Sequence, residues 1–195
     1  MAKFQRRIVL GKWRAGFALD LQTLSSTPIG YNEYGHMQFD NKRSELGELL
    51  YQLKYRGDQS VVPEIVEAAA TAVGQPPDKI EAIVPVPPST PRAAQPVSIL
   101  AAAIGERLGI PVVDCVKRIK QLPQLKNVYD LDERLKLLEG AHSVDKAAVQ
   151  SKKVLLFDDL YRSGATMNAI TTLLYDEGGA RDVVALTITR TRSNQ

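Results

Sequence analysis

The chain has 195 residues, 44% of them hydrophobic and 24% charged, and 25 basic against 22 acidic side chains leave a formal charge of +3. That balance is globular and long enough to bury a core, and it excludes a disordered tail, a collagen-like fibre, a disulfide scaffold and a field strong enough to argue nucleic-acid binding by itself. No apolar run approaches the ~18–20 residues of a membrane span, and the one cysteine, Cys115, excludes an internal disulfide or a cysteine zinc cage and reads as a reduced, buried hydrophobe in a cytosolic protein.

The basic residues crowd the start: Lys3, Arg6, Arg7, Lys12 and Arg14. Ile8-Val9-Leu10 runs at once into Gly11-Lys12, so the region lacks the apolar stretch of a signal peptide and reads as a solvated basic arm. Residues 8–10 and 17–21 predict a strand pair. Residues 25–40, rich in Ser, Gly, Asn and Pro, predict a loop. Asp40 or Asn41 is then placed to cap a helix carrying Leu46, Leu49, Leu50 and Leu53 at helical spacing, ended by Gly57 after Lys54 and Arg56. A second helix starts near Val62-Pro63-Glu64 and runs to about Val73.

From residue 79 the texture changes. Strands are expected near 80–86, 111–116, 153–158 and 182–189, and helices near 96–108, 131–139 and 166–177. Lys153 to Phe157 has almost no polar interruption, the mark of a strand covered on both faces. Strands alternating with helices predict a parallel sheet with crossover helices. The N-terminal 1–40 is expected as a strand/loop appendage, and 41–195 as the α/β domain.

The chemistry concentrates in Val154-Leu155-Leu156-Phe157-Asp158-Asp159-Leu160-Tyr161-Arg162-Ser163-Gly164-Ala165-Thr166. An apolar strand ends in two carboxylates, and a short glycine loop leads into a helix. Ligands of open parallel sheets bind outside the carboxyl ends of the strands. Asp158 and Asp159 there are acceptors for the hydroxyls of a sugar. The loop before the helix supplies free N–H groups and the positive end of the helix dipole, a cradle for phosphate. Gly164 lets the backbone approach the anion, and Ser163 and Thr166 add hydroxyls. The pattern asks for a sugar diol and a phosphate close together, as in a ribose 5-phosphate. Neither a Walker glycine-lysine-serine/threonine run nor a G-x-G-x-x-G fingerprint is present.

This stretch resembles the phosphoribosyl pyrophosphate (PRPP) signature of the type I phosphoribosyltransferases. Leu53-Lys54-Tyr55-Arg56-Gly57, Val84-Pro85-Val86-Pro87-Pro88-Ser89 and the region from Gln121 to Arg134 narrow the resemblance to the ComF family, whose members are linked to competence and DNA use. The N-terminal cysteine zinc site of many ComF relatives is missing, and the family's Arg-Gly-Phe-Asn-Gln stretch is altered to Pro91-Arg92-Ala93-Ala94-Gln95.

The resemblance implies a type I phosphoribosyltransferase-like parallel sheet with flanking helices. It implies that Asp158 and Asp159 hold the ribose hydroxyls at the catalytic centre. Tyr161, Arg162, Ser163, Gly164, Ala165 and Thr166 would wrap the 5-phosphate. Pro88, Ser89 and Arg92 would meet the pyrophosphate, and residues 118–130, with Arg118, Lys120 and Lys126, would form a mobile loop closing over the site. Magnesium is the implied cofactor, carried by the ligand with help from Asp158 and Asp159. The implied partners are PRPP or another phosphorylated ribose, single-stranded DNA or competence machinery, and a second copy in a homodimer, with no membrane insertion. Three functions stay open: a magnesium-dependent phosphoribosyltransferase of unidentified acceptor, a non-catalytic PRPP- or nucleotide-binding regulator, and a competence or DNA-uptake accessory protein.

His36 and His142 are isolated and read as structural. Trp13 and Phe17 read as packing residues, with stacking on a base as the alternative. Lys54-Tyr55-Arg56 ends a helix where cations suit the dipole, or faces a phosphate or a partner.

Overall fold

The computed structural model describes residues 2–74, 79–88, 95–120 and 131–192. Its centre is a five-stranded sheet in the order β1-β2-β9-β8-β5. β2 (Ala15–Leu21), β9 (Asp182–Arg190), β8 (Lys153–Tyr161) and β5 (Ala82–Pro85) run parallel, and β1 (Arg7–Ile8) closes one edge antiparallel to β2. The mostly parallel sheet with flanking helices is the α/β architecture expected.

Side chains alternate along the strands and so feed two apolar layers. Leu155 and Phe157 of β8, Leu186 and Ile188 of β9 and Leu19 of β2 pack with the helices α1 (Glu45–Tyr51), α2 (Val62–Val73) and α3 (Pro96–Leu108). Val154 and Leu156, with Val183 and Ala185, pack against Met167, Ile170 and Leu174 of α6 (Ala165–Asp176) on the other face. Because β8 is covered on both faces, Lys153 to Phe157 are all buried, as the uninterrupted apolar run requires.

The N-terminal region departs from the expected appendage. β1 and β2 are built into the main sheet, and the part that projects is a hairpin of β3 (Thr23–Tyr31) and β4 (Met37–Arg43). Residues 25–40 are therefore mainly strand, not loop. Both faces of this ribbon are largely exposed, so it shows no apolar alternation for a sequence reading to find. At its tip, Asn32 Oδ1 accepts from the N–H groups of Tyr34 and His36 at 3.0 and 2.9 Å.

The cap of α1 is also displaced. Asp40 and Asn41 sit inside β4, paired with Thr27 and Ser26. Ser44 caps instead: its Oγ accepts from Gly47 N–H at 2.9 Å and donates to the carbonyl of Leu21 at 2.5 Å. α1 continues into a π-helical turn, Gln52–Arg56, and ends at Gly57 with φ of 68°, the left-handed geometry glycine allows.

The basic arm is folded down. Ala2, Val9 and Trp13 are buried, and the Arg6 guanidinium lies 3.9 Å from the Phe17 ring centroid. Lys12 donates through its N–H to Asn168 Oδ1 at 2.7 Å and through Nζ to Thr172 Oγ1 at 2.9 Å, and Arg14 pairs with Asp182 at 2.9 Å. Trp13 packs as expected.

The expected strand at 111–116 is reduced to a single parallel bridge, Ile83↔Val112. Pro111 has no N–H to donate, and its carbonyl only accepts, from Ile83 at 2.8 Å. The chain then turns away and forms β6 (Val116–Arg118), paired antiparallel with β7 (His142–Val144) in a separate ribbon. α4 (Leu131–Leu138) matches the short helix expected there, and a short α5 (Lys146–Val149) precedes β8.

Candidate functional site

Asp158 and Asp159 lie inside β8, not beyond its end. The ladder with β9 continues through Asp158↔Thr187, Leu160↔Thr189 and Tyr161↔Arg190. The β-branched Thr187 and Thr189 carry the strand past the apolar run, so the switch to polar residues does not mark its terminus. Strand alternation sends the two neighbouring carboxylates to opposite faces. They are still tied together, because Asp159 N–H donates to Asp158 Oδ1 at 2.8 Å.

Asp159 is buried on the face covered by α1. There Lys54 Nζ, from the π-helical turn, lies 2.7 Å from Asp159 Oδ2. Their side chains are only 17% and 10% exposed. Asp158 is half-buried and, among the described residues, makes no ion pair of this kind. Burial, reinforced by the charge of Asp159, pushes its carboxyl well above the usual carboxylate range; the Asp159 N–H and the more distant Lys54 pull the other way. The pair thus differs in environment although the residues are adjacent.

The loop that follows is Arg162 to Gly164, with α6 starting at Ala165. Gly164 has φ of 74°, and a Cβ there would lie 2.7 Å from the Tyr161 ring. Only glycine fits. Ser163 Oγ accepts from Ala165 N–H at 3.5 Å, and Asn168 N–H donates to the Gly164 carbonyl at 2.8 Å. Among the described residues, no acceptor bonds the N–H groups of Arg162, Ser163 and Gly164. They stand at the start of α6, where backbone donors and the helix dipole favour an anion.

Tyr161 supports the loop from behind. Its hydroxyl donates to the Leu10 carbonyl at 3.1 Å, and its ring meets Trp13 edge-on at 6.2 Å between centroids. Thus the N-terminal segment buttresses the loop, a contact the sequence did not announce.

Pro88 is exposed just beyond β5, whose end is tied to β8 by the Val86 N–H bond to the Phe157 carbonyl at 2.8 Å. That places Pro88 at the same sheet edge as Asp158. Ser89 and Arg92 lie outside the described residues, as do Lys126 and most of the expected mobile loop. Of the rest of that loop, Arg118 ends strand β6 and donates to the Lys120 carbonyl at 3.1 Å, while Lys120 Nζ donates to the Glu139 carbonyl at 3.0 Å. Arg118 is therefore a strand residue, drawn in by pairing with His142.

Lys54 is the residue that sequence reasoning left undecided. Its signal is position: it follows Leu46 and Leu50 at helical spacing, so it falls on the buried face, where a cation requires an acid. Among the described residues, no group of three or more His, Cys, Asp or Glu side chains could hold a metal, and no helix is long and apolar enough to cross a membrane.

No family model matches the chain. The chain is 37% identical over 87 residues to an adenine phosphoribosyltransferase of Treponema denticola, covering 44% of this chain and 43% of that protein. It is 28% identical over 144 residues to the competence protein ComFC of Bacillus subtilis, covering 73% of this chain and 59% of that protein. The matches thus span about half the length of these curated relatives, 43% and 59%. Among solved structures, the adenine phosphoribosyltransferase of Trypanosoma brucei, in complex with AMP, pyrophosphate and ribose-5-phosphate, superimposes with a TM-score of 0.52 at 15% identity, covering 96% of this chain and 75% of that one. That likeness concerns the fold. The sheet order, the glycine loop opening α6 and these similarities agree: the chain carries a ComF-like type I phosphoribosyltransferase fold.

Proposed function

We propose that the chain binds PRPP and transfers its phosphoribosyl group to an acceptor, releasing pyrophosphate. The observation that carries this reading is the loop Arg162–Gly164: free N–H donors at a helix start, on the sheet edge that also holds Asp158 and Asp159. A 5-phosphate suits the loop, and the ribose hydroxyls suit the carboxyl groups beside it.

In the reaction, the bond from C1 to pyrophosphate breaks as a nucleophile bonds to C1. Asp159, held by Lys54 through Oδ2, accepts a ribose hydroxyl. Asp158, held toward its neutral form, has a proton to donate. The two fix the sugar so that C1 faces its acceptor, and positioning supplies much of the rate. Ser89 and Arg92, which follow Pro88, are proposed as donors to the pyrophosphate, with Lys126 as a further cation.

The donor set suits a magnesium ion that arrives on the pyrophosphate. The described residues offer no three-ligand cage, and Lys54 already engages Asp159. Such an ion would need few protein carboxylates, with Asp158 and Asp159 the residues that would help to hold it, and would supply positive charge to offset the leaving group.

The deciding experiment measures pyrophosphate release from PRPP and magnesium with a panel of bases and amines. Adenine comes first, because the Treponema denticola relative is an adenine phosphoribosyltransferase. Release that depends on one acceptor supports the transferase. A second reading, a PRPP-binding protein without turnover in a competence role, draws on the ComFC similarity. It predicts calorimetric binding of PRPP with no pyrophosphate released. Failure of PRPP to bind removes both. The DNA-accessory form of that reading needs salt-dependent binding of single-stranded DNA, and the arm it would use is folded onto the domain.

A further inference from the structure

We propose that Lys54 is a positioning residue of the sugar site: it holds Asp159 by Oδ2 and leaves Oδ1 to accept a ribose hydroxyl. The inference rests on the phosphosugar reading above. Lysine is rarely buried without a partner, and here the ammonium is spent on one carboxylate at the ligand edge of the sheet. The contact comes from a π-helical turn, a wider form that occurs in proteins mostly as single turns, frequently at functional sites. Leu53, buried beside Lys54, locks the turn into the core, so the ammonium approaches from a rigid element.

The choice of lysine matters. An ammonium is a point donor that satisfies one oxygen, whereas a guanidinium fork takes both oxygens of a carboxylate. Asp159 Oδ1 has no hydrogen bond among the described residues. Lys54 therefore holds Asp159 aimed and half-unoccupied. Without it, the carboxylate loses the cation that fixes its rotamer and compensates its burial.

The test titrates the full chain with two probes, inorganic phosphate and ribose 5-phosphate, in wild type, Lys54→Met, Asp159→Asn and the double variant. Wild type is expected to bind ribose 5-phosphate more tightly than phosphate. Each single variant is expected to lose about tenfold or more in ribose 5-phosphate affinity, the worth of one hydrogen bond to a charged group. Phosphate binding at Arg162–Gly164 stays unchanged, which a general structural defect would not allow. The double variant is expected to be no weaker than either single one, because Lys54 acts through Asp159.

Ribose 5-phosphate binding unchanged in Lys54→Met overturns the proposal, and so do single losses that add in the double variant, which would make Lys54 an independent contact. Should Lys54→Met fail to fold, Lys54→Gln, which keeps an N–H donor without the charge, is judged by the same two outcomes. A wild type that binds neither ribose 5-phosphate nor PRPP overturns the phosphosugar reading and this inference together. A wild type that binds both while Lys54→Met is unaffected overturns this inference alone.

Discussion

Lys54 Nζ sits 2.7 Å from Asp159 Oδ2, joining the helical turn after α1 to the strand that carries the diacid. Neither side chain is more than 17% exposed. Such a pair contributes little net stability when intact, yet breaking it leaves a charge buried without its partner. Lys54→Met should destabilise the fold by about 3 kcal/mol, and adding Asp159→Asn should recover much of that loss. Urea unfolding of the three variants checks the order. Equal stability of Lys54→Met and wild type would contradict the buried pair.

Asp158 makes stability depend on pH with a definite sign. Its native carboxyl holds a proton well above the range where the unfolded one, at about 4, releases it. The native state then binds more protons than the unfolded state, so this group's contribution falls as pH rises from about 4 toward neutrality. Asp158→Asn should remove that slope and make the protein more stable than wild type near neutral pH. Denaturation curves across this range measure it; a steeper loss in the variant would show the sign to be wrong.

Gly164 combines φ of 74° with a Tyr161 ring 2.7 Å from where a Cβ would stand. Gly164→Val should cost at least about 1–2 kcal/mol from the left-handed backbone alone. It should also weaken phosphate binding more than Ser163→Ala. Amide shifts of Arg162 to Thr166 on titration with inorganic phosphate report both variants. Amides that stay still in wild type would remove the anion site.

The β3–β4 hairpin has almost no buried side chain, and an isolated two-stranded ribbon is marginal in water. Amide exchange across Thr23–Arg43 should therefore be much faster than in β8 and β9, whose faces are covered. Uniform protection across the two sheets would mean that the ribbon is covered in solution.

Cys115 is buried, and that burial pushes its thiol up to about 11. Thiolate, not thiol, is the nucleophile, so native protein should react slowly with a thiol reagent at neutral pH and quickly once unfolded. Rapid labelling of the native chain would contradict its burial in the core.

The sequence by itself carried the β8–loop–α6 segment almost whole. A run such as Val154–Phe157 is legible because burial on both faces leaves only apolar residues, and Gly164 because a left-handed turn before a helix selects glycine. It also carried the helices α2, α3 and α6, whose proline starts or glycine ends are local chemistry. The tertiary structure decided what depends on a distant partner. β8 runs on through Asp158 and Asp159 because β9 runs beside it, and β2 is a central strand because β9 accepts it. The β3–β4 ribbon stayed hidden because strands exposed on both faces have no apolar period. Lys54 could be read from its helical spacing as a buried cation, but its acid was unknown until the fold brought the end of α1 over β8. Local patterns record how each residue is buried; which charges then meet is set by the packing of elements far apart in the chain.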